Sequence, residues 1–223
     1  MAFHRTARIQ PASASCRPSR FPGGGSGVAV RFRPGRAAES DGTNRAGSGA
    51  YKHSPGIHVM AGRVPAGLQR SATSMEMEAT FVQNLRYAAD VLAKEGILGL
   101  IEPINTRVTD PQYFLDSPHQ AAEILQKVDR PNIKLQMDVY HWQIMDGNLT
   151  QNIQKYFPLI GHVQVAQVPD RHEPDSPGEV NFPYLFNLLE KLGYQGYVGC
   201  EYKPMGSTEA GLDWVRKYWG GKK

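Results

Sequence analysis

Residues 98–105 read LGLIEPIN, a short apolar run that closes on Glu102. Three later runs have the same form. IKLQMDVYH (133–141) closes on Asp138, GHVQVAQ (161–167) carries Gln164, and GYVGCEYKP (196–204) closes on Glu201. The four polar residues are 36, 26 and 37 positions apart, about one strand plus one helix each. Runs such as LGLIE and YVGC are apolar at nearly every position, as strands covered on both faces must be. That spacing predicts parallel strands joined by right-handed helical crossovers. Polar side chains at the downstream ends of consecutive strands converge when such strands lie side by side in a parallel barrel.

Working outward, the same alternation extends from residue 56 to the end. Residues 57–61 predict a strand ended by Gly62. Residues 75–95 predict a helix with Phe81, Leu85, Ala88 and Leu92 on one stripe, stopped by Gly96. Ser117-Pro118 opens a helix through 127, with Ser as N-cap and Pro in its first turn. Strands follow at 133–138, 160–166 and 196–202, and helices at 148–156, 182–192 and 208–219. Five strands and five helices are the expectation for 56–223. No Gly-x-Gly-x-x-Gly turn and no phosphate-binding loop occurs, which disfavours a nucleotide-binding doubly wound sheet.

Residues 1–55 differ in kind. They are rich in Arg, Ser, Gly, Pro and Ala and show no periodicity, which predicts a disordered basic leader. Eight Arg and one Lys stand there against Glu39 and Asp41, a balance of +7, while the remainder carries −3. The chain's net charge of +4 therefore belongs to the leader. A mildly acidic folded part argues against a nucleic-acid surface. The leader also lacks interleaved aromatics, with only Phe3, Phe21, Phe32 and Tyr51. No apolar run approaches the roughly 18 residues of a membrane span. Two cysteines, Cys16 and Cys200, with no CxxC spacing, fit a reduced cytoplasmic protein. An Arg- and Ser-rich, acid-poor start is also the composition of a mitochondrial transit peptide.

Parity along each strand sorts the candidate site residues. Glu102 shares a face with Leu98 and Leu100, Gln164 with His162 and Ala166, and Glu201 with Tyr197 and Gly199. Asp138 shares its face with Lys134 and Gln136, so that strand presents a polar side, which is costly unless it lines a polar site. Three converging carboxylates repel one another at neutral pH, and a divalent cation resolves this. An all-oxygen set of Glu102, Asp138, Gln164 and Glu201 favours Mg²⁺ or Mn²⁺ over structural zinc. His141, placed on the loop after Asp138, either ligates metal, orients substrate or hydrogen-bonds in a crevice. His162, and less strongly His58, face the same interior as substrate-contacting or core histidines. Arg171 is either a holder of a substrate carboxylate or a solvated loop cation. Glu173 and Glu179 read as structural, and Trp142 as a pocket wall or helix packing. Two glutamates flanking a ligand suit proton transfer between adjacent carbons, the chemistry of an aldehyde–ketone isomerase.

At these residues the sequence resembles the hydroxypyruvate isomerase family of the xylose-isomerase-like barrel group. The resemblance lies in HVMAGRVP (58–65), LIEPINTRVTDPQYFLDSP (100–118), QMDVYHWQIMDGNL (136–149), GHVQVAQVPDRHEPDSPGEVNFPYLF (161–186) and GCEYKP (199–204). It implies a (β/α)8 barrel that interconverts hydroxypyruvate and tartronate semialdehyde. It implies Glu102 and Glu201 as the proton-transfer pair, and Glu102, Asp138, Gln164 and Glu201 as the metal-type ligands. Its partner is a small hydroxy-oxo acid, and a homo-oligomer is compatible with it. The family begins with three more strand–helix units than this sequence shows, so 56–223 is expected to form an incomplete barrel. The alternative expectation is a catalytically impaired, truncated form acting as a partial-barrel or regulatory protein.

Overall fold

A computed structural model describes residues 54–219 and the backbone of residues 28–31. It divides into two compact units, Asn44–His162 and Val163–Lys223 together with Met1–Thr43. Most of the leader assigned to 1–55 lies outside the described residues, as does Cys16.

In the first unit, β2 (Gly56–His58), β3 (Leu98–Ile101) and β4 (Ile133–Asp138) run parallel. Their register sets His58 beside Leu100 and Leu100 beside Lys134. The first strand is shorter than the 57–61 expected and begins one residue earlier. Two helices cover this ladder, α1 (Arg70–Ala93) and α2 (Pro118–Val128). The sequence pattern placed the start of α1 at residue 75, because its apolar stripe begins only at Phe81. Arg70 explains the earlier start. Its guanidinium donates to the Phe114 and Tyr113 carbonyls at 2.8 and 2.6 Å and lies 3.4 Å from Asp116, pinning the first turn. The buried face of α1 is Phe81, Val82, Leu85 and Ala89. Ala88 and Leu92 are only half-buried, so the stripe runs one position off the expected one. Gly96, at φ 62°, ends the segment in the left-handed conformation that glycine adopts without strain.

α2 begins as its sequence requires. Ser117 accepts a hydrogen bond from the Gln120 amide at 3.1 Å, and Pro118 occupies the first turn. Leu85, Ile101, Leu115, Ile124 and Leu135 form a core from which water is excluded. The chain then departs from expectation. Asp138 ends β4 and at once caps α3 (Val139–Met145), its Oδ1 accepting from the Tyr140 amide at 2.8 Å. The sequence reading treated these residues as a loop, so the described residues hold six α-helices rather than five. α4 (Leu149–Tyr156) follows as expected.

β5 (Ile160–Val165) begins in this unit. A Cβ on Gly161 would lie 2.6 Å from the Lys134 Cβ, so only glycine permits this approach. In the second unit, residues 163–165 of β5 pair in parallel with β6 (Tyr197–Cys200). β1 (Val28–Arg31) pairs with β6 antiparallel. No strand was expected inside 1–55. Its Val-Ala-Val run is too short to show a period, although its residue types suit a strand. α5 (Phe182–Lys191) buries Phe182, Leu185, Phe186, Leu188 and Leu189. The last helix is interrupted: a single 3-10 turn at Ala210–Leu212 precedes α6 (Asp213–Trp219). Phe186 stacks on Trp214 at 5.7 Å between centroids, which anchors α6.

Candidate active site

Glu102 is the residue after β3, and Asp138 is the last residue of β4. Both are buried, at 4 % and 0 % exposure. Because Asp138 starts α3 directly, His141 lies one turn further on and folds back over it. His141 Nε2 is 3.8 Å from Glu102 Oε1 and 3.8 Å from Asp138 Oδ2. One atom from each of Glu102, Asp138 and His141 lies within 4.8 Å of the other two. His141 thus belongs to a helix rather than to the loop the sequence suggested, and that helix turns it into the cluster.

Glu102 is held through its other oxygen. Oε2 accepts from Gln136 Nε2 at 2.7 Å and lies 3.3 Å from His58 Nδ1. Gln136 is two residues before Asp138 and therefore on the same strand face. The polar parity of β4 was the one sequence signal for it. His58 reaches Glu102 from β2, so three adjacent strands supply this cluster.

Asn105 is the second residue that sequence reasoning passed over. It is fully buried, and its Oδ1 accepts from the Val108 and Thr109 amides at 3.0 Å each. Its Nδ2 donates to Thr109 Oγ1 at 2.9 Å and lies 2.7 Å from His141 Nδ1. The Asn105 backbone amide also points at His141 Nδ1, at 3.2 Å. The only sequence signal was proximity, three positions after Glu102.

His162 lies on β5, where burial pushes its imidazole down to about 4, partly offset by the charge of Asp138. It is held neutral, as a core or substrate-facing histidine. Trp142 is fully buried and meets Tyr156 edge-on at 6.3 Å, so it packs helix against helix.

The second unit carries the remaining candidates. Glu201 follows β6 directly, and its amide donates to the Val165 carbonyl at 3.3 Å. Its Oε2 lies 3.3 Å from Arg171 Nη2, while Arg171 Nε donates to the Glu201 carbonyl at 3.3 Å. Arg171 is thus engaged with Glu201 rather than solvated. Its φ of 59° is unusual for a side-chain-bearing residue, and the turn is fixed by Arg171 N to Gln167 O and Lys203 N to Arg171 O. Gln164 is half-buried on β5 opposite Gly199. Gln167 braces the following loop with bonds to the backbone of Val168, Pro174, Ser176 and Val180. Glu173 is structural, as its sequence suggested: buried, it accepts from the Met205 amide at 3.0 and 3.2 Å.

The chemistry of Glu102 and Asp138 fits a divalent cation. Two buried carboxylates this close repel each other, and a divalent cation bound by their oxygens removes that repulsion. Among the described residues no helix is long and apolar enough to cross a membrane.

The chain is similar to several known proteins. A Danio rerio protein named "Putative hydroxypyruvate isomerase" is 72 % identical over 163 residues, which cover 73 % of this chain and 59 % of that protein. A "2-oxo-tetronate isomerase" of Cupriavidus necator is 46 % identical, covering 74 % of this chain and 61 % of its own length. Among solved structures, "AP endonuclease, family 2" from Brucella melitensis superposes with a TM-score of 0.66 at 51 % identity, over 73 % of this chain and 60 % of that one. The chain spans about three fifths of the length of the curated relatives it matches. The profile of the xylose isomerase-like TIM barrel matches residues 50–218, three quarters of the sequence. With its strand–helix alternation and its polar residues at strand ends, the chain belongs to the xylose isomerase-like TIM barrel family.

Proposed function

We propose that the chain is an isomerase of hydroxypyruvate, interconverting it with tartronate semialdehyde by proton transfer between adjacent carbons. The observation that carries this reading is the buried pair Glu102 and Asp138 with His141 folded over it. Of the two substrate classes named among the relatives, hydroxypyruvate belongs to the one that is 72 % identical and 2-oxo-tetronate to one at 46 %.

In this reading one glutamate of the pair Glu102 and Glu201 removes a proton from C3 of hydroxypyruvate. The C–H electrons form the C2=C3 bond, and the C2 carbonyl electrons move onto oxygen, giving an enediolate. The other glutamate delivers a proton to C2 as the C2=C3 electrons return to it, and the C3 hydroxyl proton passes to the C2 oxygen, leaving an aldehyde at C3 and a hydroxyl at C2. Atoms balance, and no external oxidant is needed. Mg²⁺ or Mn²⁺ held by Glu102, Asp138, Gln164 and Glu201 would supply positive charge against the enediolate oxygens. Arg171 pairs with the substrate carboxylate, and His141 and His162 contact its oxygens.

The test is proton NMR of hydroxypyruvate and of 2-oxo-tetronate with the purified full chain, with added Mg²⁺ or Mn²⁺ and with EDTA. Turnover that requires the metal and is lost in Glu102→Gln supports the isomerase. A folded, metal-loaded chain without turnover of either acid would overturn it.

A further inference from the structure

We infer that Asn105 is a positioning residue that locks His141 as its neutral Nε2–H tautomer, so that the imidazole serves as a hydrogen-bond donor to substrate and not as a metal ligand. The role toward substrate rests on the proposed isomerase, whereas the tautomer does not.

Two donors converge on His141 Nδ1. The first is the Asn105 backbone N–H at 3.2 Å, which cannot be anything but a donor. The second is Asn105 Nδ2 at 2.7 Å. The amide orientation of Asn105 is itself determined, because its other terminus accepts from the Val108 and Thr109 amides. Only an oxygen can do that, so the atom facing His141 is the NH2 group. A ring nitrogen that receives two N–H donors carries a lone pair and no proton. Neutral imidazole then bears its hydrogen on Nε2.

That nitrogen lies 3.8 Å from Glu102 Oε1 and 3.8 Å from Asp138 Oδ2. Neither ring nitrogen is left with a lone pair to give a cation. Nδ1 is engaged by Asn105, and Nε2 carries hydrogen. Although His141 stands geometrically among the potential ligands, its tautomer removes it from the donor set. What remains is oxygen, the chemistry that suits Mg²⁺ or Mn²⁺ over zinc. In the proposed reaction the Nε2–H donates to an oxygen that gains negative charge as an enediolate forms, where a preorganised donor is most effective.

The test uses the full chain labelled with ¹⁵N-histidine and long-range ¹H–¹⁵N correlation, with His141→Gln to assign the resonance. An unprotonated Nδ1 and a protonated Nε2 at neutral pH are expected. A protonated Nδ1 would overturn the inference. In Asn105→Asp a carboxylate replaces the donating amide, and the proton is expected to shift toward Nδ1; an unchanged tautomer in the folded variant would show that Asn105 does not set it. Should that variant fail to fold, the native spectrum still decides. Adding hydroxypyruvate is expected to move the Nε2 proton resonance, with kcat falling about a hundredfold in Asn105→Asp and KM changing far less. Turnover without movement of that resonance sinks the donor role alone. Absence of both turnover and movement sinks the isomerase reading, and the donor role with it, while the tautomer is still read from the native spectrum.

Discussion

Gln136 donates to Glu102 Oε2 at 2.7 Å, and both side chains are buried. With His58 Nδ1 3.3 Å from the same oxygen, the carboxylate is oriented so that Oε1 faces His141. A buried acceptor that loses its donor bears its desolvation cost. Gln136→Leu is therefore expected to lower stability by about 1–3 kcal/mol. Urea denaturation checks this, and a change within error would mean that Gln136 does not hold Glu102.

Gly161→Ala probes the approach of β5 to β4. The new methyl would meet the Lys134 Cβ at 2.6 Å, an atom fixed to its backbone rather than the tip of a flexible side chain. A loss of about 1–3 kcal/mol is expected, read as a lower melting temperature. An unchanged or raised melting temperature would mean that the strands separate there at no cost.

His162 makes stability depend on pH. Burial holds its folded value at about 4, against 6.5 for the free side chain. Between those values the unfolded chain binds a proton that the folded chain refuses. Stability from this residue is complete above pH 6.5 and falls as pH drops toward 4, by about 3 kcal/mol in all. His162→Gln should flatten that part of the stability–pH curve. A variant that keeps the full slope would assign it to other groups.

Arg171 tests the pairing within the second unit. Its Nε and Nη2 engage the Glu201 carbonyl and carboxylate together, and a lysine ammonium cannot reproduce that fork. If Arg171 also holds the substrate carboxylate, Arg171→Lys raises KM for hydroxypyruvate by about tenfold or more. Steady-state kinetics separate this from a purely structural effect, which would lower the amount of folded enzyme and leave KM alone.

Much of the fold was legible in the order of residues. Ser117-Pro118 announced a helix start, Gly96 announced a helix end, and the apolar runs announced β3 through β6, because caps and periodicities act within a few residues. α3 was not legible, since a single aspartate both ends a strand and caps a helix, and no loop composition separates the two. The start of α1 was missed because Arg70 is pinned by residues more than forty positions away.

The sequence by itself determined the strand–helix alternation, the family resemblance and the polar residues at the strand ends. These are properties of local pattern and of spacing along the chain. Only the tertiary structure decided how those residues are held. The Gln136–Glu102 bond spans 34 positions, the Asn105–His141 contact 36, and the Arg171–Glu201 pairing 30. Such contacts follow from strand register and loop path, which no periodicity of the sequence encodes, and they set the carboxylate's orientation and the imidazole's tautomer.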